Sequence, residues 1–157
     1  MNKLIISSLL FFLLLFSSCE KRAIYQKSYP LKDAEWTYSD SLDFSFNIQD
    51  TDIPYDLDLG IRHSKDYAFQ NLYVRITTFF PSGEQVEDVV SMELAQKDGN
   101  WYGDCGKNDC LLVIPTQQHI RFKEAGDYRI VIEQFMRKKS ISGIKEISFS
   151  IFKAEQK

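Results

Sequence analysis

From Leu42 onward, apolar and polar residues alternate one by one, the period that sends successive side chains to opposite faces of a β-strand. Leu42, Phe44, Phe46 and Ile48 fall on one side, with Asp43, Ser45 and Asn47 on the other. The alternation returns through Tyr55, Leu57, Leu59 and Ile61, and again through Leu72, Val74, Ile76 and Thr78. "FPSGE" predicts a turn at residues 81–83, a less regular strand follows through Val86, Val89, Val90 and Met92, and "KDGNWYG" predicts a second turn at Asp98 and Gly99. Leu111 to Ile114 reads as a short strand ended by Pro115. Tyr128 to Met136 and Ile144 to Phe152 alternate strongly and read as a hairpin joined through "RKKSISG".

No segment carries the period of an amphipathic helix. Roughly seven to nine short strands separated by Gly and Pro turns predict an all-β fold, an antiparallel two-sheet sandwich of immunoglobulin-like or Greek-key type. "FKEAGDYRI" sharpens that expectation, because Gly126 and Tyr128 have the spacing of a tyrosine corner, in which a buried tyrosine hydroxyl bonds to upstream backbone.

The residues ahead of Leu42 follow a different rule. Lys3, a largely apolar run from Leu4 to Phe16, and the small residues Ser17 and Ser18 directly before Cys19 have the layout of a bacterial lipoprotein signal. The run is shorter than the roughly 20 apolar residues that span a bilayer. Cleavage before Cys19 and acylation of its thiol are therefore expected, tethering the protein to a membrane without crossing it. Between Glu20 and Asp40 the charge is scattered and no period is sustained, so the segment reads as a spacer that Trp36 docks. The expected organisation is a signal peptide at 1–18, a lipidated N-terminus and spacer at 19–40, and one sandwich domain at 41–157, facing the periplasm.

Composition narrows the chemistry. With 19 basic and 22 acidic side chains the formal net charge is −3, which argues against a nucleic-acid partner. Cys105 and Cys110 frame four polar, turn-forming residues, and in an exported protein they are expected to pair; free thiols or a metal site are the alternatives. The two histidines, His63 and His119, have no spacing that would complete a zinc site, and His63 reads as a solvated loop residue. Asp50, Asp52, Asp56 and Asp58 crowd one stretch, but Asp56 and Asp58 alternate with apolar residues and read as the solvent face of a strand more than as calcium ligands. Neither a nucleophile elbow nor a phosphate loop is present. The sequence thus predicts no enzyme, no cofactor and no bound metal. Trp36, Tyr67, Phe69, Tyr73, Trp101 and Tyr102 leave one alternative open, an aromatic platform of a membrane-tethered glycan- or ligand-binding module.

Two stretches, "NLYVRITTFFPSGEQVEDVVSMELAQKDGNWYG" and "FKEAGDYRIVIEQFMRKKSISGIKEISFSIFK", resemble the gliding-motility lipoprotein GldH family of Bacteroidetes. The elements carrying the resemblance are Asn71-Leu72, Phe80-Pro81 with Gly83, Gly99 and Trp101 with Gly103, Gly126 with Tyr128, and Gln134, Met136 and Arg137 followed by Gly143-Ile144. The resemblance implies a non-catalytic envelope lipoprotein needed by the gliding machinery, with other envelope proteins as partners. Three adjacent cations, Arg137, Lys138 and Lys139, add nothing to the folding of a turn. Because Gln134, Met136 and Arg137 belong to the stretch that resembles the family, they are the expected partner-binding residues; the alternative is a solvated basic turn.

Overall fold

The computed structural model describes residues 22–155; Cys19 and the expected signal segment lie outside the described residues. Eleven strands appear in this stretch: β1 (Ala23–Pro30), β2 (Glu35–Thr37), β3 (Leu42–Ile48), β4 (Tyr55–Ser64), β5 (Asn71–Phe79), β6 (Gln85–Glu93), β7 (Asp104–Cys105), β8 (Asp109–Ile120), β9 (Gly126–Gln134), β10 (Ser140–Ser142) and β11 (Ile144–Lys153). They form a five-stranded sheet in the order β1-β11-β4-β8-β7, a four-stranded sheet in the order β3-β9-β5-β6, and a two-stranded ribbon of β10 and β2. All pairings are antiparallel.

The larger sheets lie face to face because alternation gives each an apolar side that only the other can cover. Leu42, Phe44, Phe46 and Ile48 of β3 are all buried, as are Leu57, Leu59 and Ile61 of β4. Phe44 and Phe149 meet across the interface at 5.7 Å between ring centroids, and Phe46 stacks on Tyr128 at 5.6 Å. The Tyr128 hydroxyl donates to the Glu124 carbonyl at 2.9 Å, and burial pushes its pKa up. That bond fixes the link between β8 in one sheet and β9 in the other. Gly126, at φ +135°, lets this link pass Pro81, whose Cβ lies 3.0 Å from where a side chain on Gly126 would begin.

Four expectations need correction. Residues 23–30, assigned to the spacer, form a strand paired with β11, and Tyr29 packs edge-on against Phe44. Lys27, exposed on the same phase as Tyr25 and Tyr29, hid the period, yet its ammonium donates to the Asp43 carbonyl and lies over the Tyr29 ring. The strand at 111–114 continues past Pro115 to Ile120. Beyond the short β7 pairing β8 is an edge, and its register with β4 breaks next to Pro115, so the missing N–H is tolerated. The β9–β11 hairpin does not form: β9 lies between β3 and β5, and β11 between β1 and β4. The residues between them cross from one sheet to the other while β10 pairs with β2. Finally, Asp56 is buried, not solvent-facing; its Oδ1 accepts the His119 backbone N–H at 2.9 Å, where β8 bends with φ +53°.

Candidate functional site

The crossover after β9 builds the most distinctive surface of the molecule. Inward positions of β9 carry Tyr128, Ile130, Ile132 and Gln134, all buried. Gln134 is the exception in chemistry, and its amide is fully used: Oε1 accepts from the Met136 N–H at 2.9 Å, while Nε2 donates to the carbonyls of Lys138 and Lys139. One side chain thus folds the turn that presents three cations. The ribbon secures it from the other side, where Tyr38 N–H donates to the Lys139 carbonyl and the Tyr38 hydroxyl donates to the Met136 carbonyl. Trp36 anchors the ribbon from within the core, its indole N–H bonding to the Asp40 carbonyl at 2.8 Å. Gly143, at φ +101°, ends the crossover against Tyr67, which a side chain there would crowd.

Beside this turn the outer face of the four-stranded sheet carries apolar residues at positions where alternation calls for polar ones. Tyr73, Val89 and Phe135 are 44 %, 49 % and 42 % exposed. With Phe69, Met136, Arg137 and Lys138 they line a surface groove of about 560 Å³. The Arg75 guanidinium lies 4.4 Å from the Phe135 ring centroid, and the Lys138 ammonium 5.4 Å from that of Phe69, so cations sit on the aromatic faces. Further along the same face Arg75 pairs with Glu87 and Arg129 with Asp43.

The three expected partner-binding residues therefore take three places. Gln134 is interior and supports the turn. Met136 is buried as the groove floor, with its sulfur accepting the Tyr73 N–H at 3.3 Å. Arg137 alone is exposed, on the groove wall. Val89 and Phe135 were missed, and Tyr73 was considered only for a glycan platform. Their signal was present in the sequence, since each is an apolar residue on the outward phase of its strand or just beyond it.

The remaining candidates are structural. Cys105 and Cys110 are joined as a disulfide that closes the β7–β8 turn. His63, expected in a solvated loop, is fully buried in β4 with its ring 4.5 Å from Trp101, and burial holds its pKa below the ordinary value. Of the six rings considered for a glycan platform, Trp36 and Tyr67 are core residues, and only Phe69 and Tyr73 border the groove. Among the described residues no cluster of His, Cys, Asp or Glu is arranged to hold a metal ion.

A family model described as "GldH lipoprotein" matches residues 23–151, almost all of the described chain. A "Gliding motility lipoprotein GldH homolog" of Christiangramia forsetii is 27% identical over 93% of this chain and 93% of its own length. A "Gliding motility lipoprotein GldH" of Flavobacterium johnsoniae is 25% identical, covering 88% of this chain and 89% of its own. Among solved structures, a 4-O-methyl-alpha-glucuronidase with specificity for decorated arabinogalactans aligns with a TM-score of 0.49 and 13% identity over 88% of this chain and 18% of that one, a likeness too slight to bear on function. On the strength of the match from Ala23 to Ile151, this chain belongs to the GldH lipoprotein family.

Proposed function

We propose that this protein is a lipid-anchored, non-catalytic component of the cell envelope, held through Cys19 with its sandwich on the periplasmic side, that supports assembly or stability of the gliding-motility machinery. In this reading the groove bordered by Tyr73, Phe135 and Arg137 receives another envelope protein of that machinery. The observation that carries it is the mixture of exposed aromatic rings and cations on one sheet face. A glycan platform favours rings that share a plane and leave their faces open. Here Arg75 and Lys138 lie over ring faces, and aromatic residues with arginine are the composition of protein interface anchors. The names of the two relatives, both gliding-motility lipoproteins, support the cellular context.

A photo-crosslinking residue placed at Phe135 in intact cells tests the groove. A discrete protein adduct, absent when the same residue is placed at Tyr102, is expected. Adducts to polysaccharide only would favour the glycan-binding alternative. The anchor has its own test: Cys19→Ala should remove palmitate label from the protein, and persistent label would contradict it.

A further inference from the structure

The two large sheets enclose a second site that the proposed docking groove does not involve. Inward positions of β5 and β6 run from fully buried Leu72 and Val74, and buried Met92, to half-buried Ile76, Thr78 and Val90. On the facing sheet, Ile114 and Thr116 of β8 are likewise half-buried. Between them lies a cleft of about 740 Å³, within the range of small-ligand sites, floored by Met92, Ile132 and Phe149 and walled by Ile76, Val90 and Ile114. Its lining also includes Asp88 from β6 and Arg121 and Lys123 from the link between β8 and β9, all three exposed. Arg121 is oriented by its Nε, which donates to the Asp52 carbonyl at 3.0 Å.

We infer that this cleft binds an acyl chain bearing an anionic head group, with the chain between the sheets and the head at Arg121 and Lys123. The interior decides the first half. Its floor and walls are mostly aliphatic and aromatic; of the neutral polar side chains Thr78, Thr116 and Gln117, Gln117 is exposed at the mouth and the hydroxyl of Thr116 is already committed to the Leu57 carbonyl. A glycan or an extended peptide would lose hydrogen bonds with water that such walls cannot return, whereas a hydrocarbon chain loses none. The charged rim decides the second half: two cations against one carboxylate favour a carboxylate or phosphate over a neutral or cationic head.

The test uses the full chain in isolated envelope membranes, where an added fatty acid is not built into the protein's own anchor. A palmitate analogue with a mid-chain diazirine should, on illumination, form adducts on peptides containing Met92, Ile132 or Phe149, and unlabelled palmitate should displace it. Val90→Trp fills the cleft and should reduce labelling about tenfold, a change equivalent to about 1.4 kcal/mol. Because that variant touches the core, the surface pair Arg121→Glu and Lys123→Glu is read beside it. That pair should weaken labelling by the fatty acid and spare labelling by its methyl ester. Competition by palmitate or by lysophosphatidic acid then separates a carboxylate head from a phosphate head. Adducts confined to the outer sheet faces, or full labelling of Val90→Trp, would overturn the site; equal labelling of the charge-reversed pair by the fatty acid would overturn the anionic head.

Discussion

The inner and outer faces of the four-stranded sheet are built from the same strands and differ in what explains them. On the inner face, Leu72, Val74, Ile130 and Ile132 are buried against the five-stranded sheet, and removal of apolar surface from water accounts for each. On the outer face, Tyr73, Val89 and Phe135 gain no such burial. Single exposed apolar residues are ordinary on any protein surface. Three grouped around one groove, with guanidinium and ammonium groups on the neighbouring rings, are not explained by folding, and contiguous patches of this kind mark interaction sites. The inner face is where changes should cost stability; the outer face is where they should cost function alone.

The largest expected effect is on the inner face. Ile132→Ala should destabilise the protein by about 2 to 5 kcal/mol, through lost transfer energy and the cavity left in a packed interior. Denaturant melts will measure it, and a loss below about 1 kcal/mol would show that this face is not the core. Gln134→Leu keeps the volume but strands the Met136 N–H and the Lys138 carbonyl, so a loss of about 1 to 3 kcal/mol is expected. Because the same side chain shapes the cationic turn, this variant alone should lose stability and groove crosslinking together.

Tyr128→Phe, which removes only the hydroxyl bonded to Glu124, should lose about 1 to 3 kcal/mol by leaving that carbonyl unsatisfied. An unchanged melting temperature would contradict the corner. His63 adds a pH dependence to the interior. Burial depresses its folded pKa below the ordinary 6.5, so the unfolded chain binds a proton that the folded chain refuses. Its contribution is therefore complete above about pH 6.5 and is lost as pH falls from there toward the folded value. His63→Phe should flatten that part of the stability profile, whereas substitutions at Arg137 should leave it unaltered.

How much of this was legible in the sequence depends on what decides each residue's place. Alternation located β3, β4, β5, β9 and β11 because their inward residues are predominantly apolar, and the spacing of Gly126 and Tyr128 announced a hydroxyl bond to upstream backbone, which Glu124 accepts. It failed at β1, where exposed Lys27 falls on the phase of Tyr25 and Tyr29 and bonds to the Asp43 carbonyl, a contact set by how distant strands are placed. It failed again at the β9–β11 connection. Whether two apolar strands share a sheet or face each other depends on the chain between them, and there Gln134 and the β10–β2 ribbon direct the crossover. His63 and Asp56 deceived for one shared reason. β4 is flanked by β11 and β8, and loops or rings from elsewhere cover polar side chains that the local pattern sends outward or into a loop.

For the candidate site, the sequence led to the right neighbourhood through Arg137 but named two residues whose side chains work inside the fold. The apolar residues on the outward phase, Tyr73 and Val89, were the better pointer. Burial cannot account for them, and each was visible as a break in the alternation.

The central claim, that the outer groove acts in gliding without contributing to folding, is tested most directly by one paired measurement on Arg137→Ala: colony spreading and the stability of the same variant at wild-type abundance. The predicted result is impaired spreading with stability within about 0.5 kcal/mol of wild type, as for a surface substitution. Normal spreading by a normally abundant variant would contradict the claim and leave Arg137 as the tip of a solvated turn.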